Sequence, residues 1–254
     1  PADHLPRIYD DKGDFVEVSH LNFYLMEVED VFVESRTKAL CDVPEMVYGN
    51  KPVDDGNYLF TLEERNTFIK LEPQAAKYFR PWYGAHEFIN NKPRYCLWLG
   101  DCSPAELRRM PHAMKRVEAV RQFRLVSKSP STRKMADNPT QFYFKSMPDT
   151  PYLLVPSTSS ERRQYIPIGF MQPEAISSNL VHIIPSARLY HFGLLTSSVH
   201  NAWMRAVCGR LKSDYRYSNT IVYNNFPWPT VTDADRAKIE ATAQAILNAR
   251  EAYP

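Results

Sequence analysis

Glycine is scarce in this 254-residue sequence, and its placement excludes the common nucleotide-binding loops. The eight glycines never lie within two positions of each other, so neither a Gly-x-Gly-x-x-Gly loop nor a Gly-x-Gly turn exists. The segment GNKP at 49–52 lacks the Gly-Lys-Ser/Thr of a phosphate-binding loop. We therefore expect no ATP, NAD or S-adenosylmethionine to be held here by the usual loops.

Motifs for catalysis are also missing. No glutamate is followed by the x-Lys of the common metal-dependent nuclease core, and none of the seven histidines pairs at the i, i+4 spacing of a zinc-binding helix. No Gly-x-Ser-x-Gly elbow marks a nucleophilic serine, although a dispersed Ser/His/Asp site stays open. We expect no metal site and no catalytic residues in this chain.

Cysteine and long apolar runs are equally limited. The four cysteines at 41, 96, 102 and 208 form no C-x-x-C pair, so we expect reduced thiols. No apolar run approaches the roughly 18 residues of a membrane span, and no signal peptide opens the chain. A soluble, cytoplasmic protein with no membrane partner is expected. Because the sequence starts at Pro1 and ends at Pro254, we also expect a piece of a longer polypeptide.

What the chain does have is a concentrated basic element at 104–134. It carries nine Lys and Arg residues and two acidic ones, whereas the whole chain has a net charge of only +2. Such segregation is typical of a surface that binds phosphates. The alternative is a solvated helix whose Lys and Arg stems cover apolar neighbours. Charge alone does not decide between them.

The order of the sequence patterns predicts an α+β fold with mixed or antiparallel sheets and packed helices. Capping residues predict helices at 61–69, 74–79, 103–124, 197–209 and 232–253. Apolar runs predict strands at 31–35, 94–99, 141–144, 152–156, 164–170, 180–185 and 189–195. Residues 41–60 are expected to form a hairpin or a wide loop, and the apolar patch at 21–26 a strand or a docking segment.

Five segments carry a family resemblance. They are CDVPEMVYGN at 41–50, EFINNKPRYCLWL at 87–99, SPAELRRMP at 103–111, YIPIGF at 165–170 and NAWMRAVCGRLKSDYRYSNTIVYNNFPWP at 201–229. They resemble the C-terminal part of the MmeI-like (type IIL) restriction-modification enzymes. In that family one polypeptide joins a nuclease, a helical connector, an adenine-N6 DNA methyltransferase and a target recognition domain. The resemblance covers about residues 20–254.

The resemblance implies a division of the chain into three parts. Residues 1–30 would be a linker or docking segment from a methyltransferase domain outside this sequence, 31–230 the DNA target recognition domain, and 231–254 the start of a C-terminal helical region. The family's Asn-Pro-Pro-Tyr/Phe motif is absent: in the similar segment from Asn138, Thr140 and Gln141 replace the second proline and the aromatic residue. The resemblance thus implies a non-enzymatic module without its own cofactor, while S-adenosylmethionine and Mg²⁺ would serve the parent enzyme.

The implied task is to read bases in the major groove of double-stranded DNA while the methyltransferase domain methylates adenine. Arg and Lys can bind phosphates or guanine, and Gln can bind adenine. The candidate DNA-binding residues are Lys128, Arg133, Lys134, Gln141, Lys145, Arg162, Arg163, Lys212 and Arg216. For the segment around Arg216 we weigh a phosphate clamp against an internal brace with Asp214. Trp203 and Trp228 are interpreted as packing residues.

Two other functions compete with DNA recognition. The chain could be a non-catalytic docking or scaffold module that binds a protein partner through its basic helix. It could also be a hydrolase with a dispersed site. DNA affinity that falls steeply with salt distinguishes DNA recognition from docking, because the slope measures neutralised phosphates. A pocket with strongly perturbed titrating groups would favour the hydrolase.

Overall fold

The computed structural model describes residues 5–22, 25–30 and 32–252, and the chain divides into two compact units, 1–35 and 36–254. We call them the N-terminal unit and the main unit. The N-terminal unit holds an antiparallel hairpin of β1 (Arg7–Tyr9) and β2 (Phe15–Glu17). Its turn is closed by Asp10, whose side chain accepts from two backbone N–H groups.

The N-terminal unit differs from the sequence prediction. Residues 32–35 form no strand, so the strand predicted at 31–35 is wrong for its described part, and residue 31 lies outside the described residues. In the apolar patch at 21–26, residues 23 and 24 also lie outside them. Phe32 is 71% exposed, so an extended conformation gains no burial here, which accounts for the missing strand.

The main unit contains the remaining strands and the helices. Its strands are β3 (Val47–Tyr48), β4 (Leu59–Phe60), β5 (Phe79–Tyr83), β6 (Arg94–Leu97), β7 (Tyr152–Pro156), β8 (Thr158–Ser159), β9 (Gly169–Met171), β10 (Ile176–Ser177), β11 (Val181–Ile184), β12 (Gly209–Leu211) and β13 (Asp214–Arg216). Its α-helices are α1 (Leu62–Leu71), α2 (Ala85–Ile89), α3 (Pro104–Leu107), α4 (Pro111–Leu125), α5 (Pro130–Lys134), α6 (Leu189–Leu195), α7 (Ser198–Val207) and α8 (Asp233–Ala252). Short 3-10 helices occur at Pro73–Tyr78 and Met135–Asp137, and a π-helical turn at Asn219–Tyr223.

The first sheet has the strand order β10-β5-β6-β4, and its core lies under α4. Strands β5, β6 and β4 are antiparallel, while β10 joins β5 in parallel. Cys96, Leu97 and Trp98 of the central strand region pack in one core with Val117 and Val120 of α4. The strand predicted at 94–99 is confirmed over 94–97, as is the cap that starts α1 at residue 61.

The second sheet has the order β3-β11-β7-β9 and is buried on both faces. Along β7, Leu153 and Val155 enter a core shared with helices α6 to α8, whereas Tyr152 and Leu154 enter a separate core on the opposite face. A third sheet has the order β12-β13-β8, and its strand β8 follows β7 after a single residue. The mixed α+β architecture therefore agrees with the prediction.

The helix predicted at 103–124 is divided into α3 and α4, and the basic element at 104–134 adds a third helix, α5. Proline occupies the first turn of each, where its missing N–H has no partner to lose, so each proline starts a new helix. Ser103 caps α3 as predicted. On α4, Val117 and Val120 are buried, but Met114 is 39% exposed.

Two other predictions are wrong. Residues 189–195, predicted as a strand, form α6, where Gly193 allows close contact with Ile239 of α8: a Cβ on this glycine would lie 2.8 Å from the Ile239 Cγ2. The apolar residues at helical spacing in 197–209, Val199 among them, predict the inner face of α7, but Val199 is 69% exposed while His200 and Asn201 are buried. Asn201 accepts from the Ile166 N–H at 3.0 Å, so polar anchoring orients this helix.

The remaining differences are local. Residues 41–60 form a wide loop whose two strands pair with distant segments and not with each other. Residues 141–144 form only a single bridge at Phe144, and of 164–170 only residues 169–170 lie in a strand, β9. Helix α7 ends at Val207, and Gly209 starts β12. Helix α8 and the packing of Trp203 and Trp228 agree with the predictions.

Candidate functional site

A groove of about 710 Å³ lies where the three sheets of the main unit meet. One side is formed by the end of β5 and the start of α2, and the other by the β7–β8 junction, the β10–β11 turn and β13. Its polar lining residues are Tyr48, His86, Glu87, Arg94, Ser157, Thr158, Ser178, Asn179, His182, Arg216, Tyr217 and Ser218. We call this cavity the reading groove.

Backbone hydrogen bonds fix the groove-lining loops. The Asn179 N–H donates to the Asn50 carbonyl at 2.8 Å, and the Ser178 N–H to the Tyr83 carbonyl at 2.8 Å. The Tyr217 N–H donates to the Ser157 carbonyl at 2.9 Å. Because these bonds use main-chain groups, the amide of Asn179 and the hydroxyl of Ser157 project from a rigid frame.

His182 forms the floor of the groove. Its Nδ1 lies 3.2 Å from the Ser157 Oγ, and its ring centre lies 4.7 Å from that of Tyr48. Burial lowers the pKa of His182 to about 4, so the imidazole is neutral near pH 7. The floor therefore supplies hydrogen-bonding groups without charge.

An ion pair borders the groove at the start of α2. Glu87 is 8% exposed and accepts from the Arg94 Nε at 2.9 Å and from the Gly84 N–H at 2.8 Å. A carboxylate at this position satisfies an N–H of the first helical turn and is favoured by the helix dipole. Arg94 is thereby held at the rim while its side chain stays 44% exposed.

Four predicted DNA-binding residues come together beside the groove. Lys212 and Arg216 lie on the hairpin of β12 and β13, which pairs with β8 next to the loop of Arg162 and Arg163. The Glu161 N–H donates to the Asp214 Oδ1 at 3.3 Å, which ties loop to hairpin. Within the described residues Asp214 makes no ion pair with Arg216, so the internal brace is not present.

The predicted residues at 128–134 and Gln141 lie elsewhere. Lys128 is exposed just before α5, Arg133 and Lys134 are exposed within it, and none of them lines the reading groove. The Arg133 guanidinium donates to the Ser127 carbonyl at 2.7 Å, which links α5 to the turn before it. Gln141 donates its amide to the Gly100 carbonyl at 3.0 Å, a contact within the main unit.

Lys145 lies at a second, smaller cavity of about 250 Å³ that borders the reading groove through Tyr48. Its Nζ is 5.5 Å from the ring centre of the buried Trp98. Tyr48 and Phe144 line the same small cavity and are 49% and 50% exposed. The predicted cation is thus accompanied by exposed aromatic rings.

Sequence reasoning did not single out Ser157, His182 or Arg94. A signal for the first exists: Ser157 and Thr158 follow directly after β7, whose five residues are all buried. Polar residues at the end of such a strand lie at the sheet edge, where binding loops are commonly placed. His182 gave no comparable signal, because it lies inside an apolar run.

The groove combines hydroxyl, amide, imidazole and guanidinium groups, which offer both hydrogen-bond donors and acceptors. Within the described residues, no three His, Cys, Asp or Glu side chains come together to hold a metal ion. The helices described here include none that is long and apolar enough to cross a membrane.

Comparisons with known proteins agree on one relationship. The family model "MmeI, target recognition domain" matches residues 27–230. DNA methyltransferase A of Bacillus subtilis (strain 168) is 38% identical over 234 residues, which are 92% of this chain and 27% of that protein. The structure of the type IIL restriction-modification enzyme MmeI in complex with DNA matches with a TM-score of 0.90 and 49% identity over 95% of this chain and 32% of that one. The chain therefore spans about a third or less of these relatives.

Proposed function

Because the chain belongs to the family of MmeI target recognition domains, we propose that it reads the sequence of double-stranded DNA for a methyltransferase carried by the rest of its polypeptide. Support comes from the matched MmeI structure, which contains DNA and resembles this chain over nearly its full length. The observation that carries the proposal is the convergence of β13, the β7–β8 junction and the β10–β11 turn on one groove.

In this proposal, the reading groove faces base edges in the major groove. Arg216 suits guanine, whose O6 and N7 accept from a guanidinium, while Asn179 suits adenine. Lys212, Arg162 and Arg163 lie outside the groove centre and suit phosphates, which position the duplex without reading its sequence. Lys212 sits in the hairpin turn with φ +56°, so its side chain extends from the tip.

We assign methyl transfer to residues outside this chain. The glycine loops and the Asn-Pro-Pro-Tyr/Phe motif that would hold S-adenosylmethionine and adenine are absent from the sequence. The described residues offer no cluster suited to Mg²⁺. The residues present do not fit either group, so no catalytic step is assigned to them. The chain acts as a recognition module.

Docking of a protein partner through the basic helix receives less support. Arg124, one of its cations, is fully buried. Arg116 donates to the Asn57 carbonyl at 3.2 Å and lies 4.6 Å from the Phe60 ring centre. Two of the cations that suggested a continuous basic surface therefore make contacts inside the main unit.

Fluorescence anisotropy across a salt series tests the proposal. We expect the wild-type chain to bind a mixed-sequence duplex with a steep salt dependence, and the double variant Lys212→Ala/Arg216→Ala to bind more weakly. Each lost phosphate contact lowers the slope of log K against log salt by about 0.9. The matched control is Arg121→Ala on the exposed face of α4, which we expect to resemble wild type.

Sequence preference is measured next by selecting bound duplexes from a random pool. Loss of a bidentate contact costs roughly 1–3 kcal/mol of discrimination, so we expect Arg216→Ala to relax one selected position. Wild-type binding without salt dependence would exclude phosphate recognition. If the double variant binds DNA as tightly as wild type, the hairpin of β12 and β13 is not part of the DNA-binding surface.

A further inference from the structure

Exposed aromatic side chains of the main unit are concentrated at one place. Tyr48, Tyr143 and Phe144 are 49%, 44% and 50% exposed, and among the described residues of the main unit only Tyr165 adds another exposed aromatic ring. Tyr48 and Phe144 line the same 250 Å³ cavity. The rings of Tyr143 and Phe144 meet edge to face at 4.8 Å. We call these three residues the aromatic cluster.

The backbone beneath the aromatic cluster is rigidly held. The Tyr143 N–H donates to the Lys51 carbonyl at 2.8 Å, and the Lys51 N–H donates to the Phe144 carbonyl at 3.1 Å. Next to this bridge, the fully buried Asn50 accepts from the Ser146 N–H at 2.9 Å and donates to the Ser146 carbonyl at 2.8 Å. The rings are therefore displayed in a fixed position, which lowers the entropy cost of binding a flat partner.

The charges around the cluster favour a nucleic acid over a protein surface. Lys51 Nζ lies 5.7 Å from the Tyr143 ring centre, and Lys145 adds a second cation in the cavity. Lysine is depleted at the centre of protein interfaces, whereas lysine interleaved with aromatic rings is typical of surfaces that stack bases and bind phosphates. The one carboxylate of the cavity, Glu45, suits the amino group of cytosine.

An intact duplex does not offer base faces to such rings. In the major groove only base edges are accessible, and a face becomes available where a base leaves the stack or a step is opened. We propose that Phe144 stacks on a nucleobase exposed by local opening of the duplex, with Tyr143 supporting the ring from the side. The proposal rests on the proposed function, because it presupposes that DNA lies on this side of the main unit.

The test compares two duplexes that differ at one position, one fully paired and one with a single mismatched 2-aminopurine. We expect wild type to prefer the mismatched duplex by roughly tenfold, within the range for stacking one base, and to quench the 2-aminopurine fluorescence. Phe144→Ala should bind both duplexes equally, without quenching, and keep the wild-type salt slope. Phe144→Trp should retain the preference. Tyr165→Ala is the matched control and should resemble wild type.

The outcomes separate this inference from the proposed function. If wild type binds both duplexes with a steep salt slope but shows no preference, the stacking role is wrong and DNA reading stands. If Phe144→Ala keeps the full preference and quenching, stacking by Phe144 is wrong, and the cluster is assigned to a protein interface. If wild type binds neither duplex, both proposals are wrong.

Discussion

Replacement of the buried Arg124 gives the sharpest test of how the main unit is held together. Its side chain is fully buried, and its guanidinium donates to five backbone carbonyls at 2.8 to 3.1 Å. The acceptors belong to two separate segments, at 52–53 and 135–141, and are Pro52, Val53, Met135, Asn138 and Gln141. Burial lowers the pKa of this guanidinium, and the charge of Asp54 partly offsets the effect. No carboxylate within the described residues forms an ion pair with it.

We expect Arg124→Met to lower the free energy of unfolding by about 3–5 kcal/mol. A hydrogen bond from a charged donor contributes roughly 1.5–3 kcal/mol, and five of them set an upper limit well above this figure. The loss is smaller because the methionine needs no desolvation and because partly exposed carbonyls regain water. Arg124→Lys should lose about half as much, since an ammonium has three donors and cannot span five acceptors.

Urea unfolding followed by tryptophan fluorescence measures these values, because Trp82 and Trp98 lie in the same core. The control is Arg121→Met, one turn earlier on the exposed face of α4, which should stay within about 0.5 kcal/mol of wild type. An Arg124→Met variant equally close to wild type would refute the reasoning. An Arg124→Lys variant as stable as wild type would show that the fold does not need the several N–H donors of the guanidinium.

Three further predictions concern the supports of the reading groove. Gly49→Ala should destabilise the fold by more than about 2 kcal/mol in urea, because a Cβ there would lie 2.6 Å from the Ser177 carbonyl oxygen. Asn50→Asp should cost about 2–4 kcal/mol by the same assay, since it replaces a buried amide donor to two carbonyls with an acceptor. Burial lowers the pKa of His182 and His200 to about 4, so the unfolded chain binds more protons between about pH 4 and 6.5. The free energy of unfolding should therefore fall by about 2 kcal/mol per histidine from pH 7 to pH 5. His200→Gln should remove about half of the combined loss, and urea unfolding at pH 7 and at pH 5 measures this.

Local signals allowed part of the fold to be predicted. The caps at Thr61 and Ser103, the interior strand before residue 99 and the apolar stripe of α8 depend on neighbours within one or two turns. The face of α7 depends instead on His200, whose Nε2 lies 3.1 Å from the Tyr217 hydroxyl. A polar residue selected for burial by a distant partner has no local signature.

The candidate site was predictable only where its residues carry charge. Lys212 and Arg216 were selected as cations, and the structure brings them together with the loop at 160–164. Arg124 was counted only among the nine Lys and Arg residues of the basic element, because its acceptors near residue 52 lie more than seventy positions away and leave no local signal of burial. The groove itself is lined by five segments that are distant from each other in the chain, so only the folded chain defines it.

The pairing of β3 with β11 also has a consequence for the order of events during protein synthesis. Val47 pairs with Ile183, which leaves the ribosome 136 residues later. At about 5–20 residues per second, this interval lasts roughly 7–27 s, during which the loop at 41–60 has no second sheet to join. The first sheet also waits for β10, its parallel edge strand. A nascent chain of this protein therefore completes neither sheet until most of its length has emerged.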